Sequence, residues 1–181
     1  SVVPSGRLGK LSRNNDSIEV GGPNVTVTNN IVVGGADGGI YVNAYWSSVH
    51  DVVVAGNSVI GEVAPAFRMA REVTASRLID NLAWQQDGAT PFPDSGAGLD
   101  VAGNYACKNA EHCWVDGDSW QFLPSQGRDF SPEGVAEPTL VTDFCGVERG
   151  QIPTSGALEP SLVFTTLTLG IAPKSTFNCE K

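Results

Sequence analysis

Apolar and polar residues alternate over short stretches of this chain, and the stretches recur. Ser17-Ile18-Glu19-Val20, Gly39-Ile40-Tyr41-Val42, Ala66-Phe67-Arg68-Met69 and Gly98-Leu99-Asp100-Val101 each set apolar residues two apart. That is the period of a strand with one face inward and the other in solvent. The pattern predicts interior columns of Ile18/Val20, Ile40/Val42, Phe67/Met69 and Leu99/Val101, with an outward file of Glu19, Tyr41, Arg68 and Asp100. A second phrase follows each strand, rich in valine and closing on asparagine, at 25–34, 52–61, 73–83 and 99–106. Val25/Val27, Val52/Val54 and Val73 are expected on a second side of a coil, and residues 31–33, 58–60 and 82–84 on a third.

Asn30, Asn57, Asn81 and Asn104 close these phrases at intervals of 27, 24 and 23 residues. A period in this range, built from β-branched residues and glycine without helical periodicity, predicts a stack of parallel strands. Asparagine suits the corner between two such strands, because it tolerates left-handed backbone and its amide can bond to backbone and to the next rung. The fold expected is all-β, a right-handed parallel β-helix of about four rungs closed by an irregular, disulfide-bearing C-terminal cap. Its boundaries are a lead-in over 1–16, rungs over 17–109, and a cap with returning strands over 110–181. Residues 85–98 are read as a loop protruding between rungs, and 161–170 as one or two further strands.

Both ends of such a coil are open sheet edges, which invite pairing. At the C-terminal end Trp114, Trp120, Phe122, Phe130 and Phe144 can cover the last rung. The lead-in is polar and short, so upstream rungs or another protein chain are expected on the N-terminal face. The chain starts without the apolar core of a signal peptide, and reads as mature or excised.

Charge narrows the partners. The net charge is −9, with a sequence pI of about 4.5. Nucleic acid is bound through clustered Lys and Arg, so this balance excludes it as an expected partner. No stretch approaches the roughly 18–20 apolar residues that span a bilayer, so no membrane insertion is expected. Cys107, Cys113, Cys145 and Cys179 all follow the ladder, an even count that reads as disulfides in an oxidising compartment. Three pairings are possible; the short loop favours Cys107–Cys113, leaving Cys145–Cys179. Glu111-His112-Cys113 beside Cys107 is the nearest approach to a zinc pattern and falls short of one, so no metal and no cofactor are expected. Asn24-Val25-Thr26 is an N-glycosylation sequon.

Gly56-Asn57-Ser58-Val59-Ile60-Gly61, Ala66-Phe67-Arg68-Met69 and Asp80-Asn81-Leu82-Ala83 resemble the β-helix repeats of fibrocystin and fibrocystin-like extracellular proteins, shared with the related cell-surface hyaluronidases. Gly39-Ile40-Tyr41-Val42 with Ser48-Val49-His50, and the closing run from Leu167 to Cys179, are similar in wording. Ala64-Pro65-Ala66 stands where that family usually shows glycine. The resemblance covers roughly 17–109 and 160–181 and leaves 110–158 unmatched. It implies a β-helix in a secreted protein or ectodomain, often within a very large surface protein. No catalytic motif carries over residue by residue.

The outward file, with Trp46 beside it, holds the candidate ligand-facing residues: Glu19, Tyr41, Arg68, Asp100 and Trp46. Rungs are about 4.8 Å apart, so Glu19 and Asp100, three steps apart, stand roughly 14 Å from each other. A glycosidase pair needs about 5–10 Å, so no catalytic pair is expected there. Arg68 and Asp100 are expected as neighbours in a surface ion pair. Arg68, Arg71 and Arg77 could form a basic patch suited to a uronate, or be solvated separately. His50 could be an acid/base poised by Asp51, but neighbours in extended chain point opposite ways, so the pair reads as a turn cap. Tyr41, Tyr45 and Trp46 suit either an aromatic platform for sugar rings or packing against a neighbour. Asp116-Gly117-Asp118-Ser119 is a fragment of a calcium loop without its downstream Glu. Together these favour an extracellular structural or interaction module of a larger secreted or surface glycoprotein, engaged in adhesion, assembly or polysaccharide binding. The alternative is the C-terminal part of a β-helix polysaccharide lyase or glycoside hydrolase.

Overall fold

Among the described residues up to 106, the regular structure is short strands of two to five residues. In the computed structural model, residues 2–4, 16–33, 38–45, 47–61, 65–85, 90–93, 98–108, 114–116, 121–124, 135–151 and 153–158 are described. The strands run β1 Val2–Pro4, β2 Asp16–Val20, β3 Thr26–Thr28, β4 Ile31–Val33, β5 Gly38–Val42, β6 Val53–Ala55, β7 Ser58–Gly61 and β8 Phe67–Met69. They continue as β9 Ser76–Ile79, β10 Leu82–Gln85, β11 Leu99–Ala102, β12 Tyr105–Ala106, β13 Trp114–Asp116 and β14 Gln121–Pro124. The described residues contain no helix.

Three parallel sheets, ordered β1-β4-β7-β10-β12, β3-β6-β9-β11 and β2-β5-β8, gather strands that lie one turn of chain apart. Each of the three circuits β2–β4, β5–β7 and β8–β10 contributes one strand to each side, so the backbone coils, an all-β arrangement compatible with a parallel β-helix. Columns from three sides fill the interior. Ile18, Ile40 and Phe67 stand in register on one side, as do Val20, Val42 and Met69. Val27, Val54, Leu78 and Val101 line the second, and Val32, Val59 and Ala83 the third. The space between them is narrow. A Cβ on Gly39 would run into Val59 and the Ala66 carbonyl, so only hydrogen fits there.

The asparagines form the ladder that their spacing predicts. The N–H and Nδ2 of Asn30 both donate to Asn57 Oδ1 at 3.0 Å, and those of Asn57 do the same to Asn81 Oδ1. Asn81 repeats the pattern onto Asn104 Oδ1 at 2.9 Å. Asn57, Asn81 and Asn104 also donate back to the carbonyls of Val27, Val54 and Leu78. The left-handed backbone, however, falls one residue earlier than expected. Asn29, Gly56, Asp80 and Gly103 hold φ between 52° and 63°, and a second column, Asn24, Asp51, Ala75 and Gly98, is also at positive φ. Each rung therefore turns at two left-handed corners, which frees each ladder amide to point inward.

Four strand expectations are corrected. Leu99–Ala102 is not a fourth member of the first columns: β11 pairs with β9, setting Leu99 against Ser76 and Val101 against Leu78. The vacated place is filled from within the expected loop, where the Pro91 carbonyl accepts the Phe67 N–H (3.0 Å) and Phe92 stacks on Phe67 at 5.1 Å. Val73 precedes its strand rather than lying in it, buried at a corner whose next residue, Thr74, bridges to His50. Within the lead-in, Val2–Pro4 forms a strand in register with Ile31–Val33, and Asp16 opens β2. Stacking beneath Ile31 thus comes from the chain's own start, while β2 and β3 are edge strands.

Beyond the rungs, β13 and β14 pair antiparallel, and residues 135–151 and 153–158 form a strap along the corner column of Asn29, Gly56, Asp80 and Gly103. Leu140 packs on Ala55 and Ile79, and the buried Glu137 carboxylate takes two bonds from Arg77, the shorter 2.5 Å. Arg149 donates to Asn29 Oδ1 (3.0 Å) and to the Gly156 carbonyl (2.7 Å). Ser155 Oγ donates to the Gly103 carbonyl, the Gly156 N–H to Asp80 O, and the Ala157 N–H to Ser58 Oγ. All four rungs are touched. Phe144 is buried within this strap. Cys107 and Cys145 are each in a disulfide; Cys113 and Cys179, with the strands expected over 161–170, Trp120 and Phe130, lie outside the described residues.

Candidate functional site

An open depression of about 560 Å³ lies on the outer face of the β2-β5-β8 sheet. Alternation builds its floor. With Ile40, Val42 and Phe67 inward, Tyr41 and Arg68 must face out, and register sets them side by side. The Arg68 guanidinium lies over the Tyr41 ring, 4.5 Å from its centroid, so Tyr41 is buried despite its outward position. One wall is the tight turn Ala70-Arg71-Glu72-Val73, closed by a 3.1 Å bond from the Val73 N–H to the Ala70 carbonyl, which carries Arg71 and Glu72 into the lining. The other wall is Ala44-Tyr45.

Asn43 sets that second wall. Its side chain is buried, its Nδ2 donates to Glu19 Oε1, and its Oδ1 accepts the Tyr45 N–H at 3.3 Å. Tyr45 is left 71% exposed, the highest value among the large hydrophobic side chains described as exposed. Such a ring at the rim of an open floor is available for stacking.

Electrostatically the depression runs against the rest of the chain. Arg68 and Arg71 are both exposed, and neither guanidinium has an ion-pair partner among the described residues, where the pairs formed are His50–Asp51 and Arg77–Glu137. Glu72 is the single carboxylate among the described residues that line it. A surplus of unpaired positive charge thus sits on a protein of net charge −9.

The expected file survives in three of its members. Glu19, Tyr41 and Arg68 are in register on one face, but Asp100 stands on another sheet, opposite Arg77. The expected Arg68–Asp100 ion pair is therefore not formed. Arg71 joins Arg68, while Arg77 is drawn away into the strap by Glu137. Trp46 lies outside the described residues. Two contributors, Asn43 and Glu72, were not singled out from sequence. Asn43 carries a signal, a polar residue directly after an alternating strand, whereas Glu72 in a turn carries none.

His50 and Asp51 also depart from expectation. Asp51 has φ 54°, and this left-handed corner brings its Oδ2 to 2.6 Å from His50 Nδ1. The pair is exposed, on the corner that also carries Asn24, whose N–H donates to the His50 carbonyl. Asn24 and Thr26 of the sequon are both exposed. Asp116 lies in β13, and 117–119 of the calcium-loop fragment lie outside the described residues. Among the described residues, no group of three or more His, Cys, Asp and Glu is placed to hold a metal ion.

Comparison with protein-family models, with curated proteins and with solved structures found no match to this chain.

Proposed function

We propose that this chain is an extracellular interaction module, a right-handed parallel β-helix whose outer sheet face binds carbohydrate at the depression around Tyr41 and Tyr45. The observation that carries this reading is the lining: an exposed tyrosine, a floor of tyrosine under arginine, and hydrogen-bonding side chains on a shallow open surface. Sugar rings are bound by aromatic faces together with a few placed polar groups. The handedness follows the rule for parallel crossovers. An open face lets a polymer run across rungs, which a closed pocket would not.

The location outside the cell is supported by the bonded Cys107 and Cys145 and by the exposed sequon. An adhesion or assembly role within a larger surface glycoprotein belongs to the same proposal, with β2 and β3 offering edges on which another chain or rung can stack. Hydrolysis or elimination has less support, since a glycosidase needs two carboxylates about 5–10 Å apart and Glu72 stands alone among the described lining residues.

The test is a glycan-binding measurement on the purified chain with Tyr45→Ala in parallel. Binding of at least one polysaccharide that falls about tenfold or more in Tyr45→Ala is expected. Absence of binding to every neutral and acidic polysaccharide tried would overturn the reading. The same mixtures, followed by polymer chain length, report on catalysis: shortening would transfer the proposal to an enzyme.

A further inference from the structure

We infer that the sugar held at this depression is acidic, its carboxylate or sulfate gripped by Arg68 and Arg71 while its ring lies against Tyr45. The inference rests on the carbohydrate-binding reading above and names the ligand's chemistry. Three observations carry it. The two guanidiniums come from different local structures, a strand and a turn, and converge on one lining. Neither has an ion-pair partner among the described residues, although acids outnumber bases 20 to 11 in the chain. The Arg68 guanidinium sits over the Tyr41 ring, and a guanidinium held on an aromatic face can still donate to an oxyanion.

Unpaired arginines on an acidic protein are the reverse of a solvated charge lattice, in which nearby carboxylates would take them up. The contrast lies within the same molecule: Arg77, a short way along the chain, is bound by Glu137 in a forked pair. Guanidinium matches planar carboxylate and sulfate oxygens through paired N–H donors. Glu72 on the same wall is placed to accept from sugar hydroxyls, and it repels a second acidic group. The site therefore fits a polymer whose acidic units are spaced by the sugar backbone better than it fits a densely charged polyanion.

The test uses matched polymers that differ only in charge: polygalacturonate against its methyl ester, and sparsely substituted dextran sulfate against dextran. The expected result is tighter binding of an acidic member by about tenfold or more over its neutral partner. The Arg68→Gln/Arg71→Gln double variant should erase that preference, and Lys108→Gln should leave it intact. Preference for polygalacturonate assigns the carboxylate and preference for dextran sulfate the sulfate; either supports the inference. Because both arginines are exposed and Arg68 gives up only its contact over Tyr41, the melting temperature of the double variant should stay close to the parent's. If it does not, Arg68→Lys/Arg71→Lys keeps the charge, and loss of preference there assigns the forked geometry. Equal binding of acidic and neutral members, with Tyr45→Ala still harmful, overturns this inference and leaves carbohydrate binding standing. Binding to none overturns both. Equal or tighter binding of polyglutamate also overturns it, since the site would then read charge without sugar.

Discussion

Asn81 shows what one side chain can hold. Its amide accepts two bonds from Asn57 and donates to Asn104 Oδ1 and the Val54 carbonyl, all away from water. Each buried partner left unsatisfied costs about 1–3 kcal/mol. Asn81→Ala is therefore expected to destabilise by about 3 kcal/mol or more, read from the urea midpoint. Asn104 ends the ladder half-buried, where water can replace the lost bonds, so Asn104→Ala should cost about 1 kcal/mol. Equal losses at the two positions would contradict this account. Ala75 offers the opposite test. It is exposed at φ 48°, where a Cβ is strained, so Ala75→Gly should stabilise by about 0.5–1 kcal/mol.

Among the elements, the strap and the segment around Phe92 do different work. Residues 90–93 supply the bond and the ring that a fourth strand would have supplied. Phe67→Ala should cost about 3–5 kcal/mol because the ring is fully enclosed. The strap is held by buried apolar residues, Leu140 among them, and by polar contacts on every rung. Leu140→Ala should cost about 2–4 kcal/mol and speed amide exchange over 135–158 more than in the coil. Uniform acceleration would mean that strap and coil unfold together. Alternation made the three strands of the β2-β5-β8 sheet and the Val-rich strands legible. It misplaced Leu99–Ala102 because that segment satisfies both patterns, and only pairing partners distinguish them.

Considered as one body, the molecule sets a local positive site within a negative field, and salt acts on both. Screening over about 8 Å at physiological ionic strength weakens the arginine contacts and the long-range repulsion together. Binding of an acidic polymer is thus expected to show a shallow salt dependence, unlike the steep loss seen when many cations release counterions. A Kd that weakens by orders of magnitude between low and moderate salt would contradict a two-arginine site. For the compartment, expression through a secretory pathway followed by enzymatic removal of N-glycans should shift the mass of the parent, and by less in Asn24→Gln, where Asn15-Asp16-Ser17 remains as a second acceptor triplet.

The sequence by itself determined the coil. A 23-to-27-residue recurrence, period-2 alternation and regularly placed asparagines are local and repeated signals, so each copy reinforces the others. It also pointed to the outward file, because alternation decides which face a residue takes. Which neighbours that file would have was settled in three dimensions. Asp100 left it, Arg71 entered it from a turn, and Arg77 was captured by a glutamate 60 residues away. Register between rungs and the path of the strap depend on contacts between distant segments, and no local pattern encodes the partner of an unpaired charge. The depression, accordingly, belongs to the tertiary structure, and the strands that carry it belong to the sequence.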